Sequence, residues 1–201
     1  MMRASTSPSG WEGSRCGDAR KTLFATKDRV TEPLQFDFVS HLRSSAAKVW
    51  ARASTMDGVN DELRPLIRMT TPHSAGDGGA IRLDGPIEFA SWLLALRVLP
   101  FDRHCLRVER VIAIDEGIGG EHGFDERSSS LLQRHWVHHR RITPDPFQGG
   151  CIVTDHLEVA PRLRLARPFV RLVVPRLFEH RHRRLRRRHG STDQSSARVG
   201  S

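Results

Sequence analysis

The sequence predicts an α+β domain in which a curved antiparallel β-sheet wraps around one long C-terminal helix, with two short helices after the first strand. Three observations carry that expectation. One alternating strand precedes two short helical segments; a run of strands with period-two alternation fills the middle; and the last patterned segment, over 164–189, has helical period. The domain is expected to span 34–189. A Ser-, Gly- and Arg-rich leader over 1–31 and a polar tail over 190–201 are read as disordered.

Taken in order, Leu34, Phe36 and Phe38 alternate with polar neighbours, which marks a half-buried strand. Ser44 or Ser45 can cap a helix whose Ala46, Val49, Trp50 and Ala53 recur at helical spacing. A second short helix runs through Val59–Arg64 until Pro65 stops it. Leu66–Thr71 and Gly79–Leu83 read as strands around a turn at Ser74–Gly78. Pro86–Phe101 fits strand or helix, and its apolar bulk suits a lid or wall.

From His104 to Asp115, Leu106, Val108, Ile112 and Ile114 share one side, with Arg110 as an exception among them. Gly117–Gly123 is a turn, because it precedes another strand and lacks the Gly-Lys-Ser/Thr of a phosphate loop. Phe124–Ser130 and Leu132–Ile142 follow as strands. In the second, Trp136, His138 and Arg140 share one face, and His135, Val137 and His139 the other. After the Pro- and Gly-containing loop 143–150, Cys151, Val153, Asp155, Leu157 and Val159 alternate on one face. The terminal helix carries Leu165, Phe169, Leu172/Val173, Leu177 and Leu185 on one stripe. Pro168 suits its first turn and Pro175 should kink it.

The 201 residues carry a net charge of +9, which at first sight suggests nucleic acid. The charge is local, however: 162–189 holds 11 arginines against the single acid Glu179, and the remainder is nearly neutral. With 38% hydrophobic residues, the chain is neither collagen-like nor wholly disordered. Three widely spaced cysteines form neither a disulfide framework nor a Cys-x-x-Cys metal or redox pair; Cys105 and Cys151 read as small buried hydrophobes. The longest apolar stretch, 87–101, is broken by Glu88, Ser91 and Arg97, short of the ~20 residues of a membrane span. With no apolar signal region near Arg3, a cytoplasmic location is the expectation.

Several of these segments together resemble a known family. They are Phe124-Asp125-Glu126-Arg127-Ser128-Ser129, Trp136-x-His138-x-Arg140, Gly149-Gly150-Cys151-x-Val153-Thr154-Asp155, Pro161-Arg162 and Leu177-Phe178-x-His180-Arg181-His182-Arg183-Arg184-Leu185. In order and spacing the chain resembles the SRPBCC (START/Bet v 1-like) superfamily, in particular its uncharacterised ligand-binding members related to polyketide cyclases and dehydrases. The resemblance covers about 34–188. It implies a helix-grip fold with an internal apolar cavity for lipids, steroids, polyketides or similar molecules.

Asp155 sits on an apolar face, and a buried carboxylate needs a partner, for which His138 and Arg140 are the candidates. The expected ligand site comprises Glu126, Arg127, Trp136, His138, Arg140 and Asp155 from the sheet, with Phe169, Val173 and Leu177 from the helix. Glu126 and Arg127 line the pocket mouth or form a surface ion pair. The enzyme alternative is a cyclase or dehydratase with His138 as acid/base. His135 and His139 face away from His138 and lack ligand-spaced partners, so no metal is expected, and no cofactor. No Gly-x-Ser-x-Gly nucleophile elbow is present. Nucleic acid or an anionic membrane surface could meet Arg181–Arg188, but the expected role of that run is a solvated helix end complementing the helix dipole.

Overall fold

The computed structural model describes residues 32–71, 85–113 and 120–192. The leader 1–31, the turn and strand expected over 74–83, residues 117–119 of the turn expected at 117–123 and the tail beyond 192 lie outside the described residues. Elsewhere the chain forms β1 (Leu34–Leu42), α1 (Ala46–Ala53), α2 (Met56–Leu63), β2 (Ile67–Met69), β3 (Ile87–Ala95), β4 (Leu99–Ala113), β5 (His122–Ser130), β6 (Gln133–Pro144), β7 (Cys151–Pro161) and α3 (Arg167–His189). All pairs are antiparallel, and the order across the sheet is β1-β7-β6-β5-β4-β3-β2. This is the expected helix-grip arrangement: α3 crosses the sheet, and α1 and α2 fill the space beside it.

The local reasons are legible. Ser45 caps α1 by accepting from the Lys48 amide, and Ala46, Val49, Trp50 and Ala53 are its buried face. Thr55 caps α2 in the same way through Gly58, so α2 starts earlier than the expected Val59. Gly58 is required there, because a Cβ would lie 1.9 Å from the Arg52 carbonyl oxygen. Pro86–Phe101 is neither helix nor separate lid: it is β3 and the start of β4, joined at Leu96 and Arg97, both with positive φ.

Arg110 breaks the β4 alternation because the register shifts between Val108 and Arg110. The extra residue of this bulge reverses the parity beyond it, so Val111, not Ile112, packs on the core. The expected helix stripe holds at Leu177 and Leu185, which pack on the core, and is out of phase toward the start of the helix. Val170, Val174, Phe178, Arg181, His182 and Leu185 are buried, whereas Leu165, Phe169 and Leu172 are exposed. The helix continues through Pro175. Cys151 is fully buried, and burial pushes its thiol up to about 11. Cys105 is only half-buried, on the face of β4 opposite Leu106. No helix among the described residues is long and apolar enough to cross a membrane.

Candidate functional site

A layer of polar side chains cuts the core in two, and each element joins it where its apolar run is interrupted. On β6 the inward run reads Trp136, His138, Arg140, Ile142, and on β7 it reads Val153, Asp155, Leu157. On α3, Arg181 and His182 lie between Phe178 and Leu185; on β1, Ser40 lies between Phe38 and Leu42. One apolar cluster contains Leu42, Ile142, Val153 and Leu185 and extends to Leu63, Leu106 and Phe124. The other contains Leu157, Val170, Val174 and Phe178.

Arg140, with no solvent exposure, is the hub. Its Nε and Nη2 donate to Asp155 Oδ1 and Oδ2 at 2.7 and 2.8 Å, a bidentate pair. Its Nη1 reaches both oxygens of Glu62 on α2, at 3.0 and 2.9 Å. Arg181 donates to Glu62 Oε2 from Nε and Nη2, at 3.1 and 2.8 Å, and its guanidinium stands 4.8 Å from the Phe178 ring centre. The layer thereby ties α2 and α3 to the sheet.

Three histidines extend it. His138 Nε2 lies 3.0 Å from Asp155 Oδ1, and its Nδ1 3.5 Å from Glu126 Oε2. A neutral imidazole carries one N–H, so only the imidazolium donates to both carboxylates. His104 Nε2 is 3.0 Å from Glu126 Oε1, which also accepts from Ser128 Oγ at 2.6 Å. His182 Nε2 faces Asp155 Oδ2 at 3.0 Å and its Nδ1 faces Ser40 Oγ at 2.8 Å. Arg186 can only donate, at 2.7 Å, to that hydroxyl oxygen. Asp155, ionised, can only accept, which assigns a ring hydrogen to His182 Nε2; in the neutral ring Nδ1 then accepts from the Ser40 hydroxyl.

Burial alone would raise every carboxyl group here. At Asp155 it is outweighed by the charge and hydrogen bonds of Arg140, with His138 adding, and the group is held well below the usual range. Arg140 and Arg181 lower Glu62 against the same burial. Hydrogen bonds from His104 and His138 do so for Glu126. All three stay ionised.

Above this layer, between sheet, α2 and α3, lies a cavity of about 180 Å³. Its walls are apolar, including Leu63, Leu93, Leu106, Phe124, Val170 and Val174. Four of its polar lining residues, His104, Glu126, His138 and Arg181, belong to both cavity and layer, and Asp102 lines it near Leu132. Gln133 also lines it, and its buried Oε1 has no hydrogen-bond partner among the described residues. Phe101, Leu132 and Phe169 line the cavity yet are exposed, so the mouth opens between them.

Of the residues expected from sequence, Glu126, Trp136, His138, Phe169, Val173 and Leu177 line this cavity. Arg140 and Asp155 do not; they stand behind His138 in the layer. Arg127 takes the second of its two expected places, not the pocket mouth: it points outward from β5, with Nε 3.5 Å from Glu109 Oε2 at the surface. A correction concerns Arg181–Arg188. Arg181 and His182 are buried, and Arg184 and Arg188 pair with Asp61, so this run is in large part a structural seam. Sequence reasoning missed His104, Glu62, Arg181 and His182. His104 carried a signal, sharing the parity of Leu106 and Val108. Glu62 carried none, because its partners lie on β6 and α3. Among the described residues no group of three or more His, Cys, Asp and Glu is arranged to hold a metal ion.

A family model described as "Domain of unknown function (DUF8410)" matches residues 40–189. No curated protein sequence matches the chain. The solved structure of protein CV1439 from Chromobacterium violaceum is similar over 79% of this chain and 99% of that one, with 14% identity and a TM-score of 0.47. A START superfamily protein from Mycobacterium smegmatis is similar over 79% and 97%, at 12% identity and a TM-score of 0.48. Norcoclaurine synthase from Thalictrum flavum, in complex with dopamine and hydroxybenzaldehyde, is similar over 86% and 99%, at 12% identity and a TM-score of 0.42.

Proposed function

The chain belongs to the family described as Domain of unknown function (DUF8410), and from the geometry of its cavity we propose that it binds a small hydrophobic ligand between the sheet and α3. One observation carries the reading: an apolar-walled space of about 180 Å³ into which His104, Glu126, His138 and Arg181 project from the polar layer. An apolar cavity of about 150 Å³ takes up benzene. The space therefore suits one or two rings, or a stretch of acyl chain, with the rest of a lipid, steroid or polyketide-like body passing out between Phe101 and Phe169. Trp136, Val173 and Leu177 form its apolar contacts. Glu126, His138 and His104 orient a carbonyl or hydroxyl, and Arg140 and Asp155 act through His138 as positioning residues.

Uptake of N-phenyl-1-naphthylamine, followed by fluorescence, and native mass spectrometry of the purified chain test this. The parent protein is expected to brighten the dye. Val173→Trp, which fills the space from a half-buried position, is expected to abolish that response while leaving the circular dichroism spectrum unchanged. A folded parent that takes up no dye and carries no co-purified ligand removes the proposal. A second reading, acid–base catalysis of the cyclase or dehydratase kind, is favoured by one observation: His104 paired with Glu126, and His138 paired with Asp155, both reach the cavity. Incubating a polyketide-like probe with the protein separates the two: dehydration lowers its mass by one water, cyclisation alone keeps the mass and changes its chromatographic retention, and pure binding returns it unchanged.

A further inference from the structure

The cavity mouth lies at the end of the molecule where the β3–β4 turn, the β5–β6 turn and the start of α3 meet. Hydrogen bonds hold the β5–β6 turn between β4 and the chain leaving β7: the Leu131 amide donates to the Arg103 carbonyl, the Leu132 amide to Asp102 Oδ1, and the Arg162 amide to the Leu132 carbonyl. β5 ends at Ser130, opposite His104, so the five residues of β4 before it, with the turn, project beyond their neighbour.

This end carries apolar side chains that no described residue covers. Leu96 is 66% exposed, Val98 71%, Leu163 71% and Leu165 95%, with Leu131 and Leu172 beside them. Singly scattered exposed leucines need no explanation, but six exposed aliphatic residues on the segments at one end of the molecule do. The β3–β4 turn holds Leu96 and Arg97 in the left-handed region, at φ of 48° and 73°, where side chains with a Cβ are strained. It spends that strain on presenting Leu96 and Val98 to solvent.

Charge says what meets the rim. Arg103, Arg134, Arg162, Arg164 and Arg171 are exposed among these residues. From Pro161 to Phe178 the sequence holds five arginines and no acid. Asp102, the acid of the β4 projection, is buried against the Leu132 amide, and Glu32 is the exposed acid near Arg167. An apolar rim interleaved with arginine complements a surface that is oily beneath and anionic at its face. We propose that this end of the molecule docks on anionic phospholipid membranes, with Leu96, Val98, Leu163 and Leu165 entering the headgroup boundary and Arg164 and Arg171 at the phosphates. The inference stands on the rim itself and does not require the cavity to be filled.

Sedimentation of the full chain with phosphatidylcholine vesicles, with and without phosphatidylglycerol, tests it. Binding is expected on the anionic vesicles, weakening as salt is raised. Leu163→Ser/Leu165→Ser is expected to lower partitioning by at least about tenfold. Arg164→Gln/Arg171→Gln is expected to lower it about fivefold per arginine and to flatten the salt dependence. None of these residues lines the cavity, so dye uptake should be unchanged in both variants. A folded parent that ignores anionic vesicles overturns the proposal, as do variants that bind like the parent. So does a parent that instead self-associates through Leu163 and Leu165. A chain that takes up no dye but sediments with the vesicles upholds this surface and removes only the cavity reading.

Discussion

Arg140 holds two carboxylates that nothing else fully neutralises, Asp155 through a bidentate pair and Glu62 across 78 positions of chain. Replacing it with Met keeps much of the volume and removes the charge, leaving both acids buried against incomplete partners. Arg140→Met is expected to lower the unfolding free energy by about 3–5 kcal/mol, read from urea denaturation. A loss under about 1 kcal/mol would mean that water or a rearranged Arg181 takes over. The half of this arrangement written along neighbouring strands was legible: Asp155 interrupts an apolar face, and Arg140 is its directly opposed residue on β6. Glu62 was hidden, because a helix and a sheet must pack before a carboxylate on one reaches a guanidinium on the other.

Element by element, α3 shows how a correct period can yield the wrong phase. Its first turns carry apolar residues on two adjoining faces, 170, 174 and 178 toward the sheet and 169 and 172 toward the mouth and solvent, with Leu165 exposed in the short 3-10 turn just before it. Helical spacing alone does not choose between them. The inward line continues into Arg181 and His182, and charged residues read as surface unless their partners are known. The assignment can be checked by truncation. Phe178→Ala, at a ring stacked on Phe38 and set edge-on to His138, should cost about 3–5 kcal/mol. Leu165→Ala should stay within about 0.5 kcal/mol. Equal costs in urea denaturation would restore the other phase. On β4 the period was again right, and the unseen bulge after Val108 shifted what followed. Where the ladder runs without a register shift, as between β1 and β7, the sequence pattern and the strands agree.

At the scale of the molecule, ionised carboxylates set the acid limit. Asp155, Glu126 and Glu62 are held below the ordinary range by the cations around them, against the opposing effect of burial. At Asp125 burial also opposes, but hydrogen bonds from Arg141, His139 and Arg110 bring it to about 2. Groups depressed in the folded state stabilise it fully above their unfolded pKa of about 4, and that contribution fades as pH falls through the folded values. The urea midpoint at about pH 3 should therefore lie below that at about pH 6, and equal midpoints would contradict the assignment. The sheet's closing pair has a consequence of another kind. β1 finds its partner in β7, more than a hundred positions later, with Leu34 opposite Val159 and Leu42 opposite Cys151. A ribosome delivers the first strand long before the last, so Leu34, Phe36 and Phe38 wait unpaired while most of the polypeptide is made. Completion of the fold is thereby deferred until translation has passed Pro161.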